Sequence, residues 1–442
     1  MNSIFSLRIW LVNSLLVLCT SAAILGIAEY GLELLGFPDR IPLRVAHTPD
    51  YSESRKSGEF EYVFNTNDEG LRYRILPHEN TTGEFRVFVV GDSFTEGVGV
   101  NDGERFTDLL EQDSQQSGAP MLFINGGLAG TGPLEHGRMY LHVGRKYQPD
   151  ALLITIYAND VTNTFAHLKK EWLYGDASLD EEGTDNKALL ERTFPCLLTL
   201  LFMTTERTHF STAHTPVNFR KDLENEARNR EIPQRQIDTM MASIPAELVA
   251  EVNQGAFNSS ILGKAVTNPA YWADSLDIDT AIAEMKWHGV KTLLTETVTQ
   301  ARNDGLQVAV LYIPTRYQYV PQSHDETNPQ VKAGMKVRRH WLTETSELQN
   351  RLASLVDEMR LPFLDLTPML REANHDGLEV TYTIDGHWNP LGHRLAADAI
   401  SEWLTSQHVF APPETLASNK YGTDKEKPSG SFRDKIYLQP GS

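Results

Sequence analysis

Cysteine is almost absent from this chain, with two in 442 residues. Cys19 lies in a long apolar segment near the start, and Cys196 lies in a second apolar run. The two are not placed to pair, so no disulfide is expected. A chain of this length can bury a core large enough to do without one. Basic charge is also scarce: Lys and Arg total 40 against 59 Asp and Glu, a formal net charge of −19. Nucleic-acid binding needs basic patches against phosphate, so that class is disfavoured, as is electrostatic docking on anionic lipid. The acidity acts mainly on solubility. No internal repeat is present, and no Walker or Rossmann glycine signature. The histidines do not cluster as metal ligands do. His209 and His214 flank a Ser/Thr-rich stretch, His136 and His142 are six apart and so on different helix faces, and His393 sits on the last helix. No metal site and no cofactor are expected.

What the chain does have is a pair of short motifs far apart. The apolar run Phe85 to Val90 ends in Gly91-Asp92-Ser93-Phe94-Thr95-Glu96-Gly97. A short continuous apolar run bounded by turn residues suits a strand buried on both faces, and open α/β sheets carry their sites at strand C-termini. Gly91 and Gly97 are expected to let the backbone turn tightly. Near the other end, Thr383-Ile384-Asp385-Gly386-His387-Trp388-Asn389-Pro390 leads into an alanine-rich helical pattern. A serine at a strand tip and a histidine with a nearby aspartate are the parts of a nucleophilic acyl-transfer site. Alone, Gly-Asp-Ser is equally an ordinary turn, since all three residues are common there.

Two further segments add to these. Phe123 to Gly130 is a strand ending in a glycine-rich loop, and Asp150 to Tyr157 is a strand ending in Ala158-Asn159-Asp160. With four such blocks in this order, residues 60 to 405 resemble the SGNH (GDSL-type) hydrolases. The segment Asn67 to Arg72 looks like the lead-in found in many envelope members. The resemblance implies a three-layer α/β/α, flavodoxin-like fold with a mainly parallel sheet. It also implies roles: Ser93 as nucleophile, His387 as base and Asp385 as its orienting carboxylate. The oxyanion donors would be the Ser93 N–H, the Gly130 N–H and the Asn159 amide. Asp92 is read as structural, tying down the turn through backbone N–H groups. Two positions depart from the family pattern. Ala158 stands where glycine is usual, and Asp385-x-His387 replaces Asp-x-x-His. The Asp-x-His-Trp form is similar to that of alginate-type O-acetyltransferases, which carry the pair before the serine block.

The N-terminus carries its own signal. Ile9 to Ile27 is nearly continuous apolar sequence without charge, and a spanning helix needs about 20 such residues. Arg8 precedes it and Glu29 and Glu33 follow, which orients the bulk of the chain outside the cytoplasm. The segment is expected to be an uncleaved single-pass anchor. A cleaved signal peptide is the rival, and a buried core helix a weaker alternative. Leu16-Val17-Leu18-Cys19 is a poor lipidation site, because a bulky leucine precedes the cysteine.

Strands alternate with helical patterns over 104–116, 133–147, 290–304, 341–360 and 391–405, with further strands at 307–313 and 362–366. This implies a parallel sheet covered on both faces. The expected organisation is an anchor over 1–28, a linker and lead-in over 29–84, a catalytic domain over 85–410 and a mostly disordered tail over 411–442. A helical insertion at about 165–289 is either a lid, a partner surface or a stabilising cap. The expected function is an extracytoplasmic serine esterase acting on an acylated small molecule or envelope glycan. An O-acetyltransferase using the same acyl-serine is the alternative, with a membrane partner as acyl donor. A non-catalytic glycan-binding or scaffolding protein is the third.

Overall fold

A computed structural model of the chain describes residues 2–34, 46–81, 83–118, 120–163, 193–194, 196–197, 218–229 and 232–410. The expected tail and much of the expected insertion lie outside these. Helix α1 (Asn2–Leu34) opens the chain. It is followed by an antiparallel hairpin, β1 (Ser52–Lys56) and β2 (Glu61–Asn65), in the region expected to be linker. The hairpin alternates exposed positions with half-buried ones in β1 and buried ones in β2. Its inner residues Tyr62 and Phe64 are buried, and a period of two is what a half-buried strand requires. Arg55 lies over the Phe64 ring at 3.5 Å and masks the alternation in the sequence.

The five strands of the main sheet are β3 (Phe85–Gly91), β4 (Met121–Gly127), β5 (Ala151–Tyr157), β6 (Gln307–Ile313) and β7 (Phe363–Asp365). They are all parallel, in the order β4-β3-β5-β6-β7. This is the doubly wound flavodoxin order, and it agrees with the expected α/β class. Every residue of β3 and β5 is buried, which accounts for their apolar character, broken only by Arg86 and Thr155. The chain leaves β3 for β4 on one side and then crosses to β5 on the other. The switch point therefore falls at the C-terminal ends of these three strands, where such sheets place their ligands.

Helices α3 (Phe106–Gln116) and α4 (Pro133–His142) follow β3 and β4, with the four-residue α2 (Ser93–Glu96) between β3 and α3. A short α5 (Asp160–Asn163) follows β5. The described part of the insertion is helical: α6 (Phe219–Asn229), α7 (Gln234–Ser243), α8 (Ala246–Asn253), α9 (Ser259–Thr267) and α10 (Tyr271–Leu276). Helix α11 (Ala281–Asn303) starts earlier than the expected 290, inside the range assigned to the insertion. Thr280 sets that start, its side chain accepting the Ala283 N–H as an N-cap. Helices α12 (Pro329–Met335), α13 (Glu347–Glu358), α14 (Thr367–His375) and α15 (Pro390–Ser406) complete the described chain.

The expected apolar N-terminal segment is helical within α1. Among the described residues no helix is long and apolar enough to cross a membrane. Polar Asn13, Thr20 and Ser21 interrupt the run. Toward its end α1 carries Glu29, whose carboxylate accepts the backbone N–H groups of Cys196 and Leu197 at 2.7 and 2.9 Å.

Candidate active site

The turn after β3 is built by close approach. A side chain on Gly91 would collide with Thr155 on β5 and with Thr95, whose hydroxyls bond each other at 2.7 Å. Crowding, not an unusual dihedral angle, is what requires glycine at 91. Gly97 is the residue with a left-handed conformation, φ 84°, ending α2. Asp92 caps α2, accepting the Phe94 N–H at 3.0 Å. The fully buried Arg72 donates to the carbonyls of Glu96, Gly97 and Val100, at 3.2, 2.5 and 2.7 Å, and fixes the loop beyond.

This turn presents Ser93 to His387. Ser93 Oγ lies 2.8 Å from His387 Nε2, and His387 Nδ1 lies 2.5 Å from Asp385 Oδ1. Asp385 is ionised and accepts only, so the imidazole proton sits on Nδ1 and Nε2 carries the lone pair. The serine hydroxyl is then the donor to Nε2. Asp385 Oδ1 also accepts the His387 N–H at 3.2 Å, a contact that the short Asp-x-His spacing permits. The ring of Phe94 packs on the imidazole, with centroids 5.1 Å apart, and Tyr157 backs Phe94 at 4.4 Å.

The electrostatics follow from these contacts. Burial alone would raise the Asp385 pKa and lower that of His387. The mutual charge and hydrogen bonds of the pair reverse both, so Asp385 is held below the usual carboxylate value and His387 above 6.5. Asp92 and Glu96 add to the His387 shift. Asp92 itself is pushed up to about 6 by burial, against the pull of the Phe94 N–H and of His387. It also lies 3.3 Å from Ser93 Oγ, so its position is structural and close to the nucleophile at once.

Glu96 ties the serine turn to the glycine loop. Its fully buried carboxylate accepts the Ala129 N–H at 2.7 Å and lies 2.9 Å from His47 Nε2. Burial would raise its pKa, but His47, Arg55 and the Ala129 amide bring it down to about 2. Gly130 follows directly, with φ 74°. Its N–H, the Ser93 N–H and the Asn159 side chain enter no hydrogen bond among the described residues, and the buried Asn159 Oδ1 is without a partner there. The three candidate donors thus stand after β3, β4 and β5, side by side at the switch point. Such donors stabilise negative charge on a reacting carbonyl oxygen. Asn159→Ala is expected to lower kcat by about 10²–10³-fold with little change in KM, because the donor acts on the transition state. Steady-state kinetics on a p-nitrophenyl ester would read this split, and an equal rise in KM would count against it.

The structure brings Ser93, His387 and Asp385 into one chain of contacts. Sequence reasoning missed their supports: Arg72, His47, Glu96 and Arg316. Arg316 is buried, donates to the Thr383 carbonyl at 2.9 Å and pairs with Asp325. The signal for Arg72 lay within the Asn67–Arg72 segment and Glu96 lies in the quoted serine block, but nothing local marked His47 or Arg316. His393 is buried with Nδ1 near the Phe106 N–H at 3.3 Å, as a core histidine. His136 is also buried, but neither ring nitrogen has a hydrogen-bond partner among the described residues, and burial lowers its pKa to about 3. Among the described residues no group of His, Cys, Asp and Glu could hold a metal ion.

Residues 277–437 match the family model described as "SGNH hydrolase-like domain, acetyltransferase AlgX". The matched region includes Asp385 and His387 and begins well after the serine block. No curated protein matches the chain. Among solved structures, a member of the lipolytic protein G-D-S-L family from Veillonella parvula DSM 2008 is 12% identical, covering 73% of this chain and 98% of that one, with a TM-score of 0.32. The esterase EstA from Pseudoalteromonas sp. is 10% identical over 74% of this chain and 99% of its own, with a TM-score of 0.34. An acetyl xylan esterase from Geobacillus stearothermophilus is 9% identical over 73% and 97%, with a TM-score of 0.33. Residues 277–437 are thus similar to SGNH hydrolase-like domains.

Proposed function

We propose that the protein is a serine esterase that removes small acyl groups, with O-acyl groups of cell-envelope glycans as substrates. The observation that carries this is the continuous contact from Ser93 Oγ through His387 to Asp385. In the first step Ser93 Oγ attacks the ester carbonyl while His387 Nε2 takes its proton. The oxyanion is held by the Ser93 and Gly130 N–H groups and the Asn159 amide. His387 then gives the proton to the leaving alcohol, and the acyl group remains on Ser93. In the second step His387 deprotonates water, which attacks the acyl-serine and frees the acid. Asp385 stays ionised throughout and holds the imidazole in the productive tautomer.

An O-acetyltransferase is the second reading. The family model matched by residues 277–437 is described as that of an acetyltransferase, and the same acyl-serine serves both reactions. A sugar hydroxyl would then replace water in the second step, with a membrane protein as a candidate acyl donor.

The N-terminal segment is proposed as a single-pass anchor that holds the catalytic domain outside the cytoplasm. Support comes from the apolar run Ile9 to Ile27 and from the exposure of Leu16, Val17, Ile24 and Ile27 along α1. Apolar side chains facing solvent in such a row mark a membrane or partner contact.

Full-length protein in detergent, given p-nitrophenyl acetate, is expected to release acetate and p-nitrophenol in equal amounts. Addition of deacetylated xylan is expected to leave that ratio unchanged. Transfer of the acetyl group to the glycan, with acetate falling below p-nitrophenol, would replace the esterase reading with the transferase. A folded protein that neither turns over the ester nor labels with a serine-directed phosphonate would leave a non-catalytic glycan binder.

A further inference from the structure

The turn carrying Asp385 is held by a residue more than 300 positions earlier in the chain. Within the turn, the Tyr382 N–H donates to the His387 carbonyl at 2.9 Å, and the Gly386 N–H to the Tyr382 carbonyl at 3.0 Å. Gly386 takes φ 90°, a conformation that favours glycine. Two successive N–H groups, those of Ile384 and Asp385, find no acceptor inside the turn. Both are taken by one carboxylate: Glu59 Oε1 lies 2.9 Å from Ile384 N, and Oε2 lies 2.7 Å from Asp385 N. Successive backbone N–H groups in a turn form an anion-binding nest. A carboxylate that fills one with both oxygens fixes orientation as well as distance.

Glu59 is itself well placed. It sits at the tip of the β1–β2 hairpin, where the Ser57 hydroxyl accepts the N–H groups of Glu59 and Phe60 at 3.1 and 3.2 Å. Phe60 packs on Tyr382 with ring centroids 4.7 Å apart, and the Tyr382 hydroxyl donates to the Gly99 carbonyl at 2.8 Å. Other anchors grip the turn by its carbonyls: Arg316 holds Thr383 O, and Asn258 of the insertion donates to Asp385 O at 3.3 Å. Among the described residues, Glu59 alone accepts from the Ile384 and Asp385 amides.

We propose that Glu59 is a positioning residue for the Asp385–His387 pair, so that the hairpin before the sheet is part of the catalytic apparatus. Its two hydrogen bonds set the backbone from which the Asp385 carboxylate reaches His387 Nδ1. The inference rests on the reading of His387 as the base. Glu59→Gln keeps the size but turns an amide donor toward one of the two N–H groups. Glu59→Asp keeps the charge but is too short to bind both. Each is expected to lower kcat on p-nitrophenyl acetate by about 10- to 100-fold while KM stays within about twofold. Glu61→Gln removes the same charge from the same hairpin at an exposed position paired with Lys56, and is expected to change neither.

A second readout is independent of turnover. Full-length protein labelled with ¹⁵N-histidine, in detergent, reports the His387 Nδ1 proton bonded to Asp385, identified by its loss in Asp385→Asn. That signal is expected to weaken in Glu59→Gln and Glu59→Asp and to persist in Glu61→Gln. Wild-type signal and kcat in both Glu59 variants would overturn the proposal. So would a shifted His387 titration in Glu59→Gln with Glu59→Asp unchanged, since that is the signature of charge alone. Absence of ester turnover in the wild type would remove the esterase reading, while the proton signal would still decide whether Glu59 positions the pair.

Discussion

Ser93→Ala and His387→Ala are each expected to lower kcat on p-nitrophenyl acetate by about 10⁴-fold or more, and the double variant by no more than the worse single one. The reason is that the two groups act as a unit. Without Oγ there is no covalent acceptor for the acyl group. Without Nε2 the hydroxyl at 2.8 Å keeps its proton and remains a poor nucleophile. What survives comes from the oxyanion donors and from binding, neither of which depends on the pair. Both side chains lie at the mouth of the sheet and outside its apolar layers, so thermal unfolding should change little. Single-turnover measurement of acyl-enzyme formation is the direct check. Multiplicative losses in the double variant would mean that serine and histidine act separately, and the relay would be wrong.

Asp385→Asn is expected to cost about 10³–10⁴-fold in kcat, with a shift in pH dependence that a simple loss of stability would not produce. Asp385 is what outweighs burial and keeps the His387 pKa above 6.5. The neutral imidazole is the base, so wild-type kcat/KM should fall as pH drops through that raised value. With asparagine the raising charge is gone, and the acidic limb should move to lower pH while the plateau itself falls. The plateau falls because an asparagine amide can donate to Nδ1, placing the ring proton on Nε2 and blocking transfer from serine. A pH–rate profile from pH 5 to 9 separates the two effects. An acidic limb that stays in place would show that another group governs it, with Asp92 the first to test, since it lies 3.3 Å from the nucleophile.

The strands of the sheet were legible because burial on both faces leaves a mostly apolar run in the sequence. Gln307 to Ile313 was readable to the residue, and Ala151 to Tyr157 within one. The β1–β2 hairpin was not legible. Its strand Ser52–Lys56 carries polar and charged residues throughout, and its burial depends on Arg55 lying across Phe64. Gly91 was expected to serve a tight turn, but its true constraint is the crowding of Thr95 and Thr155 from a strand sixty residues on.

The sequence by itself singled out the candidates: Ser93 after an apolar run and His387 beside Asp385 from their own residues, and the Gly130 and Asn159 donors only through the family resemblance. Ser93 is announced locally, because a strand tip needs an apolar run before it and a turn after it. Only the tertiary structure decided what holds them in place. Glu59 reaches Asp385 across 326 residues, and His387 reaches Ser93 across 294. Glu96 grips the glycine loop from the serine turn while pairing with His47. Hydrogen bonds at such separations leave no periodic mark on either partner. They exist because packing brings a side chain of one segment within three ångströms of its partner on the other, and a carboxylate is simply the group able to satisfy the amides found there.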